Sequence, residues 1–193
     1  TGVLDVPVTA AHSVWVDDED MAIMAEKGVS VAHNPVSNLK LGSGIMPYKK
    51  MKDAGVNITL GTDGAASNNR LSVLREMQFA ALVHKGNDLD PSVTLAADMI
   101  KIATRNGAKA QGRLDCGDVA MGKRADLLLV DMSHFNNIPS YNFESTVCYS
   151  MTEENIKMTM CDGNILYEDG AYTTIDEEKL KADAKRVISH YFD

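Results

Sequence analysis

The chain is poor in cysteine: it has three, Cys116, Cys148 and Cys161, and no Cys-x-x-Cys spacing. An odd number without that spacing argues against a disulfide framework and against a cysteine-based zinc site. The three are expected to be free, small apolar residues in a reducing, cytoplasmic setting. No apolar run approaches the roughly 20 residues that cross a bilayer, and no basic segment leads into an apolar one as in a secretory signal. Positive charge is also scarce. Nineteen Lys and Arg stand against 27 Asp and Glu, for a net charge of −8, and they form no dense stripe. A polyanion needs a cationic surface on which to release counterions, so neither nucleic acid nor acidic membrane is an expected partner, whereas a small neutral or zwitterionic molecule is compatible. A nucleophile elbow, a Walker A loop, His-x-His and His-Glu-x-x-His are all missing. Gly42-Ser-Gly44-Ile-Met-Pro47 starts like a dinucleotide fingerprint, but Pro47 occupies the third glycine position and no acidic residue closes a following strand.

What is present is ordinary globular material, 45% hydrophobic and 24% charged over 193 residues, enough for one domain or a domain and a half. The first third repeats one unit. Apolar runs at 6–11, 29–32 and 56–60 end at or next to His12, His33 and Asp63. Helices are predicted over 20–27, opened by the acids Asp17 to Glu19, over 47–54, with proline at its first turn, and over 71–85. The stretch from Asn34 to Gly44 reads as a loop, and 92–112 reads as helical. Short apolar strands alternating with amphipathic helices imply βαβ units and a parallel sheet covered on both faces. Beyond Gly112 the pattern changes to short strands at 125–130, 145–150, 156–161 and 164–167, with Gly163 and Gly170 at turns. A closing helix runs from Asp176 to about Tyr191, with Ile175 and Leu180 available for a hydrophobic staple. The expected division is therefore 1–112 and 113–193.

Chemistry collects at the strand ends, which in α/β barrels face the active site. Asp63 lies in Gly61-Thr-Asp63-Gly-Ala-Ala-Ser67-Asn-Asn69. A carboxylate flanked by glycines can approach a metal and take a proton from bound water, though Asp-Gly is also a common turn. His12 could bind metal or polarise a hydroxide, or it could be a satisfied core histidine. His33, before an Asn-Pro turn, carries the same two readings. Their common register favours function for all three. His84, His134 and His190 share no ligand spacing and read as surface residues. The eleven methionines read as core filler.

Three segments carry a resemblance: Ala11-His12-Ser-Val-Trp15, His33-Asn-Pro-Val-Ser-Asn-Leu-Lys-Leu-Gly-Ser-Gly-Ile45, and Gly61 to Asn69. They resemble the amidohydrolase superfamily, in particular the deaminases of 5-methylthioadenosine and S-adenosylhomocysteine and their chlorohydrolase-like relatives. Ala103-Thr-Arg-Asn-Gly-Ala-Lys-Ala110 and Gly122-Lys-Arg-Ala-Asp126-Leu add weaker support, and the likeness runs along essentially the whole chain. The resemblance implies an α/β fold: the second half of a (β/α)8 barrel, strands six to eight ending at His12, His33 and Asp63, followed by part of a small β-sandwich and a C-terminal helix. It implies one divalent metal, usually zinc, held by a His-x-His pair, a further His and the residue matching Asp63. Asp63 would also accept the proton of the metal-bound water, and His12 would stabilise the tetrahedral intermediate. Ser67 and His33 are the expected substrate-side residues, for an adenosine-type nucleoside. The remaining metal ligands and a proton-shuttling Glu match nothing here, so the chain reads as the C-terminal part of a longer enzyme. On its own it is expected to lack most of the metal site and to self-associate or pair with an N-terminal half. Guanine or cytosine deamination, triazine dechlorination and an inactive fragment are the competing readings.

Overall fold

The computed structural model describes residues 2–192; positions 1 and 193, the outer limits of the two expected units, lie outside the described residues. In chain order the elements are β1 (Thr9–Ala11), α1 (Asp18–Glu26), β2 (Ser30–His33), α2 (Pro35–Lys40), α3 (Tyr48–Asp53), β3 (Asn57–Leu60), α4 (Ala65–Asn68), α5 (Val73–Asp88), α6 (Ala96–Ala103), α7 (Arg105–Ala110), β4 (Leu127–Val130), α8 (Phe143–Tyr149), β5 (Ile156–Cys161), β6 (Asn164–Glu168), β7 (Ala171–Tyr172) and α9 (Glu177–Phe192). The first three strands form a parallel sheet ordered β1-β2-β3, and the last four an antiparallel sheet ordered β4-β5-β6-β7.

The parallel sheet follows from its crossovers. Asp17 caps α1 by accepting the Asp20 N–H, and Asp20 returns the bond to the Asp17 N–H, a reciprocal box worth about 1 kcal/mol. Gly28, at φ +65°, releases the chain into β2. Val29, Val31 and His33, 2%, 0% and 1% exposed, share one face of that strand under the helices. Against them pack Met21, Met24, Met46, Met51, Met77 and Met99, all buried. Flexible thioether side chains fill the irregular gaps between helix and sheet, and each fully buried one contributes on the order of 2 kcal/mol.

Five expectations need correction. The loop predicted from Asn34 onward contains a helix, α2, whose N-terminal Val36 N–H is held by the buried Glu76 carboxylate at 3.1 Å. Residues 145–150 are not a strand: α8 forms because Asn142 accepts the Ser145 N–H at 2.7 Å and Cys148 enters the core against α5 and α6. Thr146 and Val147 suit a strand locally, and packing overrides that preference. The helical stretch 92–112 breaks into α6 and α7 at Thr104, whose φ and ψ are −126° and −90°. His84 is not a surface residue. It is 1% exposed, on the α5 face made by Met77, Ala80 and Ala81. At the far end, Asp176 caps α9 by accepting the Lys179 N–H at 3.0 Å, but Ile175 and Leu180 stay about half exposed, so the expected staple buries little. No described helix is long and apolar enough to cross a membrane.

Candidate active site

β1 and β3 do not touch; β2 lies between them. Even so, the side chains following β1 and β3 meet across the end of β2, with His12 Nε2 3.8 Å from Asp63 Oδ2. The backbone makes this possible. His12, Ser13 and Asp63 adopt φ of +64°, +48° and +59°, a left-handed conformation that costs a non-glycine residue about 1–3 kcal/mol. The His12 N–H still bonds to Ala32 O at 2.9 Å, so the strand ladder continues up to the residue at which the side chain swings away.

Asp63 is held from both sides. Ser37 Oγ of α2 donates to Oδ2 at 2.6 Å and Ser67 Oγ of α4 donates to the same oxygen at 2.8 Å. Those hydroxyls, Ser37 first, and the Gly64 N–H lower the Asp63 pKa to about 2. Its carboxylate is therefore ionised near neutral pH. His12 is oriented through its other nitrogen: Nδ1 lies 2.7 Å from Asn38 Oδ1 and 3.4 Å from Asn34 Nδ2. Asn34 Nδ2 also bonds Ala32 O at 3.1 Å, and a Cβ at Gly61 would fall 2.4 Å from Asn34 Oδ1, so a larger residue there would displace this amide.

A buried carboxylate supports the whole arrangement. Glu76 is 0% exposed; one oxygen takes the Val36 N–H, and the other takes Asn68 Nδ2 at 2.7 Å. Asn68 also reaches Thr62 O at 2.6 Å. The loop after β2 and the loop after β3 are thus tied to one point on α5. Burial raises the Glu76 pKa against the opposing pull of the Val36 and Asn68 donors.

His33, expected on the substrate side, is 1% exposed among the described residues, and its Nε2 lies 2.9 Å from His84 Nε2. Being still inside β2, it keeps the strand's alternation and points to the helix-covered face with Val31. Tyr48 stacks on His84 with ring centroids 4.9 Å apart. Ser67 does stand at Asp63. Ser37, Asn38 and Glu76 were not found from sequence; the Asn-Pro-x-Ser-Asn run after a strand was the available signal, and it reads first as a turn.

The metal implied by the resemblance can be tested against these donors. Among the described residues no three of His, Cys, Asp and Glu converge on one point. Asp63 and His12 are two groups where a zinc site with an open position uses at least three protein ligands. The residues present do not by themselves make such a centre.

Residues 1–166 match the amidohydrolase family. The chain is 48% identical over 188 residues to a 5-methylthioadenosine/S-adenosylhomocysteine deaminase of Acetivibrio thermocellus, covering 97% of this chain and 44% of that protein. It is 42% identical to a 5'-deoxyadenosine deaminase of Methanosarcina barkeri, covering 96% and 43%. Among solved structures, an adenosine deaminase from Xanthomonas campestris with bound zinc superposes with a TM-score of 0.91 at 33% identity over 94% of this chain and 42% of that one. Atrazine chlorohydrolase from Arthrobacter aurescens, complexed with zinc, gives 0.88 at 27% identity, covering 94% and 40%. The fold is that of part of the TIM-barrel chains it superposes on. The chain belongs to the amidohydrolase family. It spans less than half the length of the relatives it matches.

Proposed function

We propose that the intact protein hydrolytically deaminates an adenosine-type nucleoside, such as S-adenosylhomocysteine, 5-methylthioadenosine or adenosine, and that this chain supplies Asp63 and His12 to the reaction. The observation that carries the reading is the His12–Asp63 pair, assembled from two non-adjacent strands at a cost in backbone strain. Strain of this kind persists where the surroundings over-determine it, and it gathers at functional sites. The names of the relatives support the substrate class.

In this reading water replaces the amino group of the base and ammonia leaves. Asp63 is placed to receive the water's proton. A carboxylate with a pKa near 2 is a weak base towards free water, so its anionic state suits it equally to serve as one ligand of a divalent cation, zinc as in the solved relatives. Such a cation, held by Asp63 together with ligands from outside this chain, would supply acidification of water. His12, 3.8 Å from that carboxylate, is placed to stabilise the negative charge that develops on the attacked ring. Ser67, besides holding Asp63, faces the same exposed mouth and is proposed to lie near the purine. The barrel part, 1–112, and the β module, 113–193, are proposed to act as two units of the same hydrolase.

The remaining ligands are proposed to come from further chain. β1 and β3 each pair on one side only among the described residues, and open strand edges invite pairing. The 193-residue chain expressed alone should therefore self-associate and hold little metal; a monodisperse monomer with one zinc by light scattering and elemental analysis would overturn this. For the activity itself, ammonia release by the intact protein over a panel of adenosine-type nucleosides, guanine and a triazine is the test. Turnover of the last two without the first moves the protein to another branch of the family. His12→Asn should cost roughly a hundredfold in turnover, and near-normal rates would remove His12 from the site.

A further inference from the structure

We propose that Asn38 is a positioning residue: it accepts a hydrogen bond from His12 Nδ1–H, fixes that tautomer and ring orientation, and so leaves Nε2 as the nitrogen presented beside Asp63. The inference rests on the reading of His12 and Asp63 as the reacting pair.

Asn38 is 2% exposed, and its Oδ1 lies 2.7 Å from His12 Nδ1. Its backbone is pinned at both ends, with the N–H on Asn34 O at 3.0 Å and the carbonyl accepting the Ser43 N–H at 2.9 Å. The side chain therefore hangs from a fixed point. Its neighbour Ser37, 0% exposed, is the residue that donates to Asp63. One turn of α2 thus holds both members of the pair, and Glu76 holds that turn.

The remaining atom of the amide carries the argument further. Asn38 Nδ2 is buried and has no hydrogen-bond partner among the described residues. An unsatisfied buried amide costs about 1–3 kcal/mol. A local turn does not account for an asparagine here, because its side chain bonds to no backbone group among the described residues and its one hydrogen bond is to His12. Asn34 Nδ2, the other group near Nδ1, is farther away and bonded to Ala32 O. A residue that tolerates an orphaned donor in order to meet one imidazole nitrogen is arranged around that imidazole. In metal and acid–base sites the partner on one ring nitrogen decides what the other can do.

The test uses the intact protein, labelled with 15N-histidine, and the variants Asn38→Ala, Asn38→Leu and Asn38→Asp. His12→Asn assigns the His12 resonances. In the wild type, His12 Nδ1 should carry the proton. Ala and Leu should convert the signal to a mixture of tautomers and lower kcat at least about tenfold, with KM changed less than about twofold, as expected for a small misplacement of a reacting group. Asp restores an acceptor oxygen at the same place and should recover most of kcat. A wild-type Nδ1 without its proton overturns the inference, as does wild-type kcat in the Ala and Leu variants while His12→Asn is impaired. If His12→Asn is itself unimpaired, the reading of the pair has failed instead. Should Ala fold poorly, the contrast of Asp with Leu and the wild-type spectrum carry the decision.

Discussion

Two histidines close neighbouring parallel strands in nearly the same local sequence, Ala10-Ala11-His12 and Val31-Ala32-His33, and they end in opposite environments. His12 is partly exposed beside an anionic carboxylate; His33 is buried against His84. The difference is one residue of register. Ala11 pairs with Ala32, so His12 lies just past the end of β1, where a left-handed turn swings its ring to the mouth of the sheet. His33 pairs with Leu60 and is still strand, so alternation sends it to the face beneath α5. A strand-end histidine is available for chemistry when the backbone leaves the strand at that residue, and becomes core when the strand runs one residue further.

Crossed substitutions should separate the two regions most widely. In the intact protein, Asp63→Asn should lower turnover by at least roughly a thousandfold, since on the proposed reading it removes a proton acceptor and a cation ligand together. Its melting temperature should move much less, because asparagine keeps an oxygen that can accept from Ser37 and Ser67. His33→Gln should do the reverse, costing on the order of 2 kcal/mol of stability through the disturbed buried contact with His84 and changing KM for the nucleoside little. A large KM effect from His33→Gln would put that residue back at the substrate.

Acid should find the buried region first. Burial lowers the His84 pKa from 6.5 to about 4, with Asp88 pulling weakly the other way, and burial together with His84 and His12 lowers that of His33. With a folded pKa below the unfolded one, the unfolded chain binds more protons between the two values, so stability rises with pH there. The contribution is complete above about 6.5 and is lost as pH falls towards 4, on the order of 3 kcal/mol for His84 alone. Urea midpoints measured between pH 7.5 and pH 4.5 should fall accordingly, and His84→Gln should flatten the profile. A profile unchanged by that substitution would show that His84 is not the group responsible.

Much of this was legible in the sequence, and the rest was hidden for identifiable reasons. The three strands, the helices α1, α3 and α5, and the register of His12 and Asp63 follow from periodicity and punctuation, which are local. Ser37 and Asn38 were obscured because Asn-Pro before a run of small polar residues reads as a turn, while α2 depends on a carboxylate 40 positions away, Glu76, to hold its first N–H. His84 read as surface because it shares no ligand spacing with another histidine; what buries it is the meeting with His33 and Tyr48, residues distant in sequence. Long-range pairing of polar groups leaves no periodic trace, and the supports of the site are built from it.

Glu76 offers the finest probe of the comparison, because α5 carries both Glu76, which serves the open cluster, and His84, two turns along on the same buried face, which serves the closed one. An ionised carboxylate can accept from Val36 and Asn68 at once; a glutamine has one acceptor and must turn its amide towards the other donor. Losing that bond and leaving a buried N–H unmet costs about 1–3 kcal/mol. Glutamine also removes a buried charge whose burial raises its pKa, and this relief offsets part of the loss. The bond should win, since both donors point at fixed oxygens, so Glu76→Gln is expected to destabilise the intact protein by about 1 kcal/mol. Turnover should fall severalfold through the loosened α2 turn that carries Ser37 and Asn38, while the acid dependence set by His84 stays as it was. Thermal melts and steady-state rates on one preparation measure both effects. A variant with unchanged melting and unchanged rate would mean that the two loops are held by their own contacts, and that Glu76 merely occupies the space between them.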